Sequence, residues 1–160
     1  MVGGQDELVF DGGSFVVDSS GEMIYQASQF QEEIFSFDIE VEIKDIISES
    51  KLSLNTKKDE LPDLQSHEIF NELESMYEAL KLGVADYVQK NNFQKVLVGL
   101  SGGIDSALTA TIAVDALGSD NVMGIAMPSK YNPDSSVEDA KNLAENLGIE
   151  FKVIEIEDTV

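Results

Sequence analysis

A short segment rich in glycine and serine is the part of this 160-residue chain whose residue types could do chemistry. Residues 100–106 read Leu-Ser-Gly-Gly-Ile-Asp-Ser, after the apolar run 96–98 and before the helix-compatible run 107–114. A strand that enters a helix through glycines exposes backbone N–H groups at the positive end of the helix dipole, where phosphate binds. Gly102 and Gly103 also let the backbone approach an oxyanion without a Cβ in the way. The segment therefore predicts a phosphate-binding turn.

Two hydroxyls and one carboxylate refine this prediction. Ser101 and Ser106 could donate hydrogen bonds beside the loop amides. Asp105 would repel bare phosphate, so its presence favours a bridging divalent cation, and Mg²⁺ suits a carboxylate together with phosphate oxygens. The segment has neither the lysine of a Walker loop nor the glycine spacing of a dinucleotide-binding turn. The simpler alternative is a strand-to-helix turn that binds no ligand.

Charge and composition exclude several classes of protein. Ten basic residues stand against 31 acidic ones, for a formal net charge of −21, so nucleic acid and anionic membranes are poor partners. The absence of cysteine excludes disulfides, thiolate metal sites and a cysteine nucleophile within this sequence. No stretch approaches the ~18 apolar residues of a membrane span, and residues 1–7 lack the features of a signal peptide. We expect a cytoplasmic location, with neither nucleic acid nor membrane as partner.

The chain divides into three regions. Residues 1–44 read as strands, with apolar runs at 8–10, 15–17 and 23–25 between turn residues and a period-two alternation over 35–43. Residues 45–65 are rich in Ser, Lys, Asp and Glu and read as a linker. Residues 66–160 follow an α/β pattern.

Within the third region, strands and helices alternate. An apolar stripe from Ile69 to Val88 predicts a long amphipathic helix. Strands are predicted at 96–100, 122–127 and 149–156. A helix over 107–117 ends at Gly118, and another begins at a capping box, Ser135 to Glu138, and ends at Gly148. This order predicts a parallel sheet with right-handed crossovers and a ligand at the carboxyl ends of its strands.

The hexapeptide 101–106 resembles the pyrophosphate-binding loop (PP-loop) of the ATP pyrophosphatase superfamily. Residues 77–160 further resemble the start of the synthetase domain of glutamine-dependent NAD synthetases, through segments 77–83, 98–108, 113–118, 127–131 and 138–149. Residues 2–14 are similar to the tail of the nitrilase-like glutaminase domain of that family. The resemblance implies a doubly wound parallel α/β sheet of the adenine-nucleotide α-hydrolase type over residues 66–160. Strands that end a nitrilase-like α/β sandwich would precede it.

The family resemblance also implies an activity. Such enzymes hydrolyse glutamine, adenylate nicotinate adenine dinucleotide with ATP and Mg²⁺, and let ammonia displace AMP to give NAD. Carried over by position, the ATP-binding residues are Gly99, Leu100, Ser101, Gly102, Gly103, Ile104, Asp105, Ser106 and Met127. Asp105 would also be a metal ligand, the Ala126–Met127 backbone would border the adenine, and Lys130 stands where the family often has a basic residue. The alternative for residues 126–127 is a buried strand end without a ligand, and the alternative for Lys130 is a solvated lysine.

The resemblance further implies that the glutaminase Glu-Lys-Cys triad lies before Met1 and that the deamido-NAD contacts lie after Val160. This sequence is then expected to be a piece, without catalytic residues of its own and inactive alone, of an enzyme that forms homo-oligomers. Two alternatives stay open at this point. One is another PP-loop adenylating ligase, such as a GMP synthetase. The other is a non-catalytic nucleotide-binding fragment.

Overall fold

The computed structural model describes residues 1–37, 64–128 and 134–156. Its N-terminal part contains two antiparallel hairpins. Strand β1 (Val2–Gln5) pairs with β2 (Leu8–Asp11), and β3 (Phe15–Val17) pairs with β4 (Met23–Gln26). The three predicted apolar runs are therefore strands. The glycine-rich β1 was missed because it carries one apolar residue.

The strand predicted over 35–43 is wrong where it can be compared with the structure. Residues 35–37 form no strand, and residues 38–43 lie outside the described part of the chain. The Phe35 ring packs against Tyr25, with centroids 4.5 Å apart, and lies 6.0 Å from the Phe37 ring. The alternating aromatic residues at 35 and 37 thus build a small aromatic cluster with the second hairpin instead of a β ladder.

The C-terminal part has the predicted α/β order. Helix α1 (Glu72–Lys90) leads to β5 (Val96–Gly99), and α2 (Ile104–Leu117) leads through a 3₁₀ turn to β6 (Val122–Ala126). Helix α3 (Asp134–Leu147) and β7 (Glu150–Val153) complete the unit. The three strands are parallel in the order β5-β6-β7, which confirms the α/β class and the parallel sheet.

The hydrophobic core lies on one face of this sheet. Because the strand order advances in one direction, right-handed crossovers place α2 and α3 on the same face. Their small residues pack closely onto the strands. The buried cluster consists of Leu100, Ala110, Ala113, Val122, Ala126, Ala140, Ala144 and Ile149. Leu97 on the other face is 65% exposed, and among the described residues no helix covers that face.

The helix ends agree with the predictions in part. Gly118 and Gly148 follow α2 and α3 with φ of 82° and 68°, as predicted for glycine at a helix end. Helix α3 begins at Asp134, so Ser135 lies inside its first turn and the predicted capping box is wrong. Helix α1 instead has a capping box, in which the Glu74 N–H donates to Asn71 Oδ1 at 3.1 Å and the Asn71 N–H donates to the Glu74 carboxylate.

Helix α1 packs against α2, but much of its predicted apolar stripe is not buried. Tyr77 donates a hydrogen bond of 2.6 Å from Oη to the Asp115 carboxylate on α2, and this bond raises the Tyr77 pKa. Val88 is buried, whereas Leu73 is 77% exposed and Met76 is 57% exposed. None of the described helices is both long and apolar enough to span a bilayer.

The first hairpin docks on α1 through a close backbone approach. A Cβ on Gly4 would lie 3.3 Å from the Gly83 Cα and 3.4 Å from the Asp86 Cβ. The Gly4 N–H donates to Asp86 Oδ2 at 2.7 Å, and Lys90 Nζ donates to the same oxygen at 2.9 Å. Lys90 Nζ also donates to the Gly4 carbonyl. Two glycines and one ion pair therefore fix the hairpin to the helix.

We expect Asp86→Asn to weaken this docking by about 1–2 kcal/mol, since hydrogen bonds to a charged group exceed neutral ones by roughly that amount. The Lys90 ammonium, and then the Gly4 N–H, hold the Asp86 pKa below its ordinary value. A lowered folded-state pKa stabilises the docked state above the unfolded pKa of about 3.9 and loses this effect as the pH falls through the folded value. An NMR pH titration of the Gly4 amide measures the Asp86 pKa, and urea unfolding measures the loss of stability.

The matched control is another ion pair of i, i+4 spacing, Lys141 to Glu145 on α3, at 3.8 Å with side chains 63% and 66% exposed. Glu145→Gln is expected to change the free energy of unfolding by less than about 0.5 kcal/mol, because exposed pairs contribute little. Equal effects of the two variants would contradict the docking role of Asp86.

Candidate functional site

The glycine-rich loop lies at the carboxyl edge of the parallel sheet, between β5 and α2. It borders a cleft of about 200 Å³, to which the loop contributes Gly99, Leu100 and Ser101. The last residues of β6 and the two that follow it contribute positions 125–128, and the first turn of α3 contributes Ser136 and Val137. The structure therefore places the predicted residue Met127 opposite the loop, although 28 positions separate it from Gly99 in the sequence.

The start of α2 presents backbone N–H groups without helical partners. Gly103 is the N-cap and makes no side-chain capping bond. The Ala107 N–H is the first to reach a carbonyl of the loop, that of Gly103 at 3.1 Å. The N–H groups of Ile104, Asp105 and Ser106 precede it in the first turn, where no carbonyl of the helix can accept them. Ile104 is 80% exposed, so this turn is open to a ligand.

The two loop serines hold the loop in shape. Ser106 Oγ accepts the Ser101 N–H at 3.2 Å and donates to the Gly103 carbonyl at 2.9 Å. Ser101 Oγ accepts the Gly103 N–H at 3.2 Å and lies 3.1 Å from Ser106 Oγ. Either hydroxyl could supply the hydrogen between these two oxygens.

This network ties both serines to their own loop, because each hydroxyl has partners within residues 101–106. The first-turn amides of α2 have no helical partner. The serine hydroxyls therefore help to hold the loop that carries these open amides.

Gly102 allows the loop to pack against α3. Its φ is 78°, and a Cβ at this position would lie 2.6 Å from the Ser136 carbonyl oxygen and 2.8 Å from the Ser136 Cα. A glycine is required both for the positive φ and for the close approach. Ser136 was not among the predicted site residues, because it lies 34 positions further along the sequence and only the tertiary contact brings it to the loop.

Asp105 is exposed in the first turn of α2, and its carboxylate has no hydrogen-bond partner among the described residues. Thr109 Oγ1 donates to its backbone carbonyl at 2.8 Å and not to its side chain. Nowhere in the described ranges do three or more metal-ligating side chains cluster. A single free carboxylate beside open amides fits Mg²⁺, which takes one or two protein carboxylates and completes its shell with phosphate oxygens and water.

The Ala126–Met127 backbone was predicted to border the adenine, but the carbonyl of Ala126 is already used by the sheet. The Ala126 carbonyl accepts the Ile154 N–H at 2.9 Å, and the Ile125 carbonyl accepts the Leu100 N–H at 2.8 Å. Met127 lies just beyond the strand and is 52% exposed. The Met127 backbone is thus the better placed of the two for a ligand, whereas Lys130 lies outside the described residues.

The chain is similar to a set of named enzymes. It is 44% identical over 175 aligned positions to a glutamine-dependent NAD(+) synthetase of Thermotoga maritima, covering 99% of this chain and 30% of the relative. It is 45% identical over 174 positions to the enzyme of that name from Aquifex aeolicus, covering 99% of this chain and 31% of the relative. The chain thus spans about a third of the length of the curated relatives it matches.

The chain is also similar to a solved structure of an enzyme with this name. The glutamine-dependent NAD+ synthetase of Acinetobacter baumannii, solved in complex with adenosine diphosphate, superposes with a TM-score of 0.76 at 37% identity. The match covers 98% of this chain and 27% of that one. The model of the NAD synthase family matches residues 76–160, which include the loop, the cleft and all three parallel strands. Because that match covers more than half of the sequence, the chain belongs to the NAD synthase family.

Proposed function

We propose that this chain supplies the ATP-phosphate site of a glutamine-dependent NAD synthetase, which converts nicotinate adenine dinucleotide to NAD through an adenylated intermediate. The observation that carries the proposal is the row of open amides at the start of α2, on the carboxyl edge of a parallel sheet in a chain of this family. The names of the relatives favour this reaction over a GMP synthetase-like one.

The geometry suits the first step of such a reaction. A carboxylate is a poor electrophile, so its oxygen attacks the α-phosphorus of ATP and the bond to pyrophosphate breaks. Negative charge then develops on the leaving pyrophosphate. The N–H groups of Ile104, Asp105 and Ser106 would donate to that charge, and donors fixed in advance stabilise it without reorganisation. Ammonia then attacks the activated carbonyl carbon and AMP leaves.

The other parts of the proposal follow from the family. Gly99 to Ser106 would bind the phosphates and Met127 would border the adenine. Mg²⁺, when bound, would neutralise phosphate charge, and Asp105 would be its protein ligand. Residues 1–44 would end a glutaminase domain that supplies ammonia from glutamine, residues 45–65 would be the linker, and residues 66–160 would begin the synthetase domain. We further propose a cytoplasmic, homo-oligomeric enzyme.

Asp105→Asn tests the proposal through the metal. With Mg²⁺ present, we expect the variant to bind ATP about tenfold more weakly than the unchanged chain, since a ligand of the bridging cation is lost. With EDTA present the order should invert, because the variant no longer repels bare triphosphate. Isothermal titration calorimetry of the 160-residue chain with ATP measures both arms.

The control is Asp120→Asn, at an exposed carboxylate in the 3₁₀ turn after α2. This variant loses the same charge away from the cleft and should match the unchanged chain in both arms. No ATP binding by the unchanged chain would refute the proposed function. A loss of affinity at Asp105 that is the same with and without Mg²⁺ would refute the metal role alone.

A further inference from the structure

Ser136 is the second polar side chain on the lining of the nucleotide cleft, besides Ser101. The two serines differ in their hydrogen bonds. The Ser101 hydroxyl accepts the Gly103 N–H and lies within 3.1 Å of Ser106 Oγ, so the loop itself engages it. The Ser136 hydroxyl has no hydrogen-bond partner among the described residues. Ser136 thus adds to the cleft lining a hydroxyl that the glycine-rich loop does not engage.

The position of Ser136 indicates which part of a nucleotide it would meet. Its backbone lies against Gly102, close enough that a Cβ on the glycine would overlap the Ser136 carbonyl oxygen. Gly102 immediately precedes the N-cap of α2, whose first turn holds the open amides. Met127, proposed for the adenine, lies just beyond the end of β6 instead. Ser136 is thus at the phosphate end of the cleft.

We propose that the Ser136 hydroxyl donates a hydrogen bond to a phosphate oxygen of the bound nucleotide, so that α2 and α3 grip the phosphates from two sides. This inference rests on the proposed function and adds a residue from a second helix to the loop. The first turn of α3 packs against Gly102 and also carries Ser136. This turn would therefore hold the loop in shape and contact the phosphate that the loop binds.

The test compares neighbouring serines. Ser136→Ala is expected to lower the affinity for ADP about tenfold, as for a lost hydrogen bond to a charged group. Its affinity for adenosine should be unchanged, because adenosine has no phosphate. Ser136→Thr keeps a hydroxyl and should bind ADP nearly as the unchanged chain does. Ser135→Ala is the matched control, since Ser135 is exposed in the same turn and does not line the cleft.

Calorimetry with ADP and with adenosine gives the affinities, and thermal melting shows that each variant is folded. Three outcomes would overturn the inference while leaving the proposed function intact. These are an unchanged ADP affinity in Ser136→Ala, an equal loss in Ser135→Ala, which would indicate an effect of the helix start, and an equal loss for adenosine, which would place the contact away from phosphate. Failure of the unchanged chain to bind ADP would overturn both.

Discussion

Gly102→Ala is expected to lower the affinity of the chain for Mg-ATP about 100-fold or more. The new Cβ would stand 2.6 Å from the Ser136 carbonyl oxygen, and backbone on both sides of the contact leaves no flexible side chain to give way. The loop must therefore move away from α3. That movement shifts the amides next to Gly103, and loss of two hydrogen bonds to a charged phosphate costs about 3–6 kcal/mol. Calorimetric titration with Mg-ATP measures the change.

Gly118→Ala separates this clash from backbone strain. Gly118 has a φ of 82°, close to the 78° of Gly102, but nothing lies within 4 Å of the position that its Cβ would take. Both alanines are strained at positive φ, at a cost of about 1–3 kcal/mol in the free energy of unfolding. Only the variant in the loop should lose affinity. Similar affinities of the two variants for Mg-ATP would show that contact with α3 does not shape the phosphate site.

Local patterns in the sequence were sufficient to predict the C-terminal architecture. Apolar runs bounded by glycine predicted β5, β6 and the two helices between the parallel strands. Gly118 and Gly148 marked helix ends correctly, because a residue at positive φ is a local requirement. The loop could be recognised for the same reason, since a strand, two glycines and a helix start lie within a dozen consecutive residues. The placement of Gly99 and Met127 on one cleft followed from parallel pairing.

The features that the sequence did not predict depend on contacts between residues far apart in the chain. No local signal shows that β2 pairs with the glycine-rich β1, or that this hairpin docks on α1 through Gly4 and Gly83. The apolar stripe of α1 predicted the helix correctly, but a stripe does not reveal which of its residues are buried, and Leu73 stays 77% exposed. Ser136 was missed for the same reason. The role proposed for it depends on a contact with Gly102 across 34 positions.

The second large effect is expected inside the sheet, at Gly124→Ala. Gly124 is buried in β6 on the face that α2 and α3 cover. A Cβ there would lie 2.6 Å from Leu100 Cδ1 and 3.4 Å from Ile149 Cδ1, and Leu100 is only 4% exposed, so its side chain must repack against its buried neighbours. Overpacking of this kind costs about 1–3 kcal/mol. Gly99→Ala on β5 is the control, because its Cβ would meet only the Met127 methyl group, at 3.7 Å.

A double-mutant cycle assigns the cost to the contact with Leu100. Leu100→Val alone should destabilise the chain, because it removes buried volume from the core. In the Gly124→Ala background the same change removes the clashing methyl group, so the two effects should fall short of additivity by about 1 kcal/mol. Urea unfolding of the four chains gives the coupling. Strict additivity would mean that Gly124 is required for a reason other than its contact with Leu100.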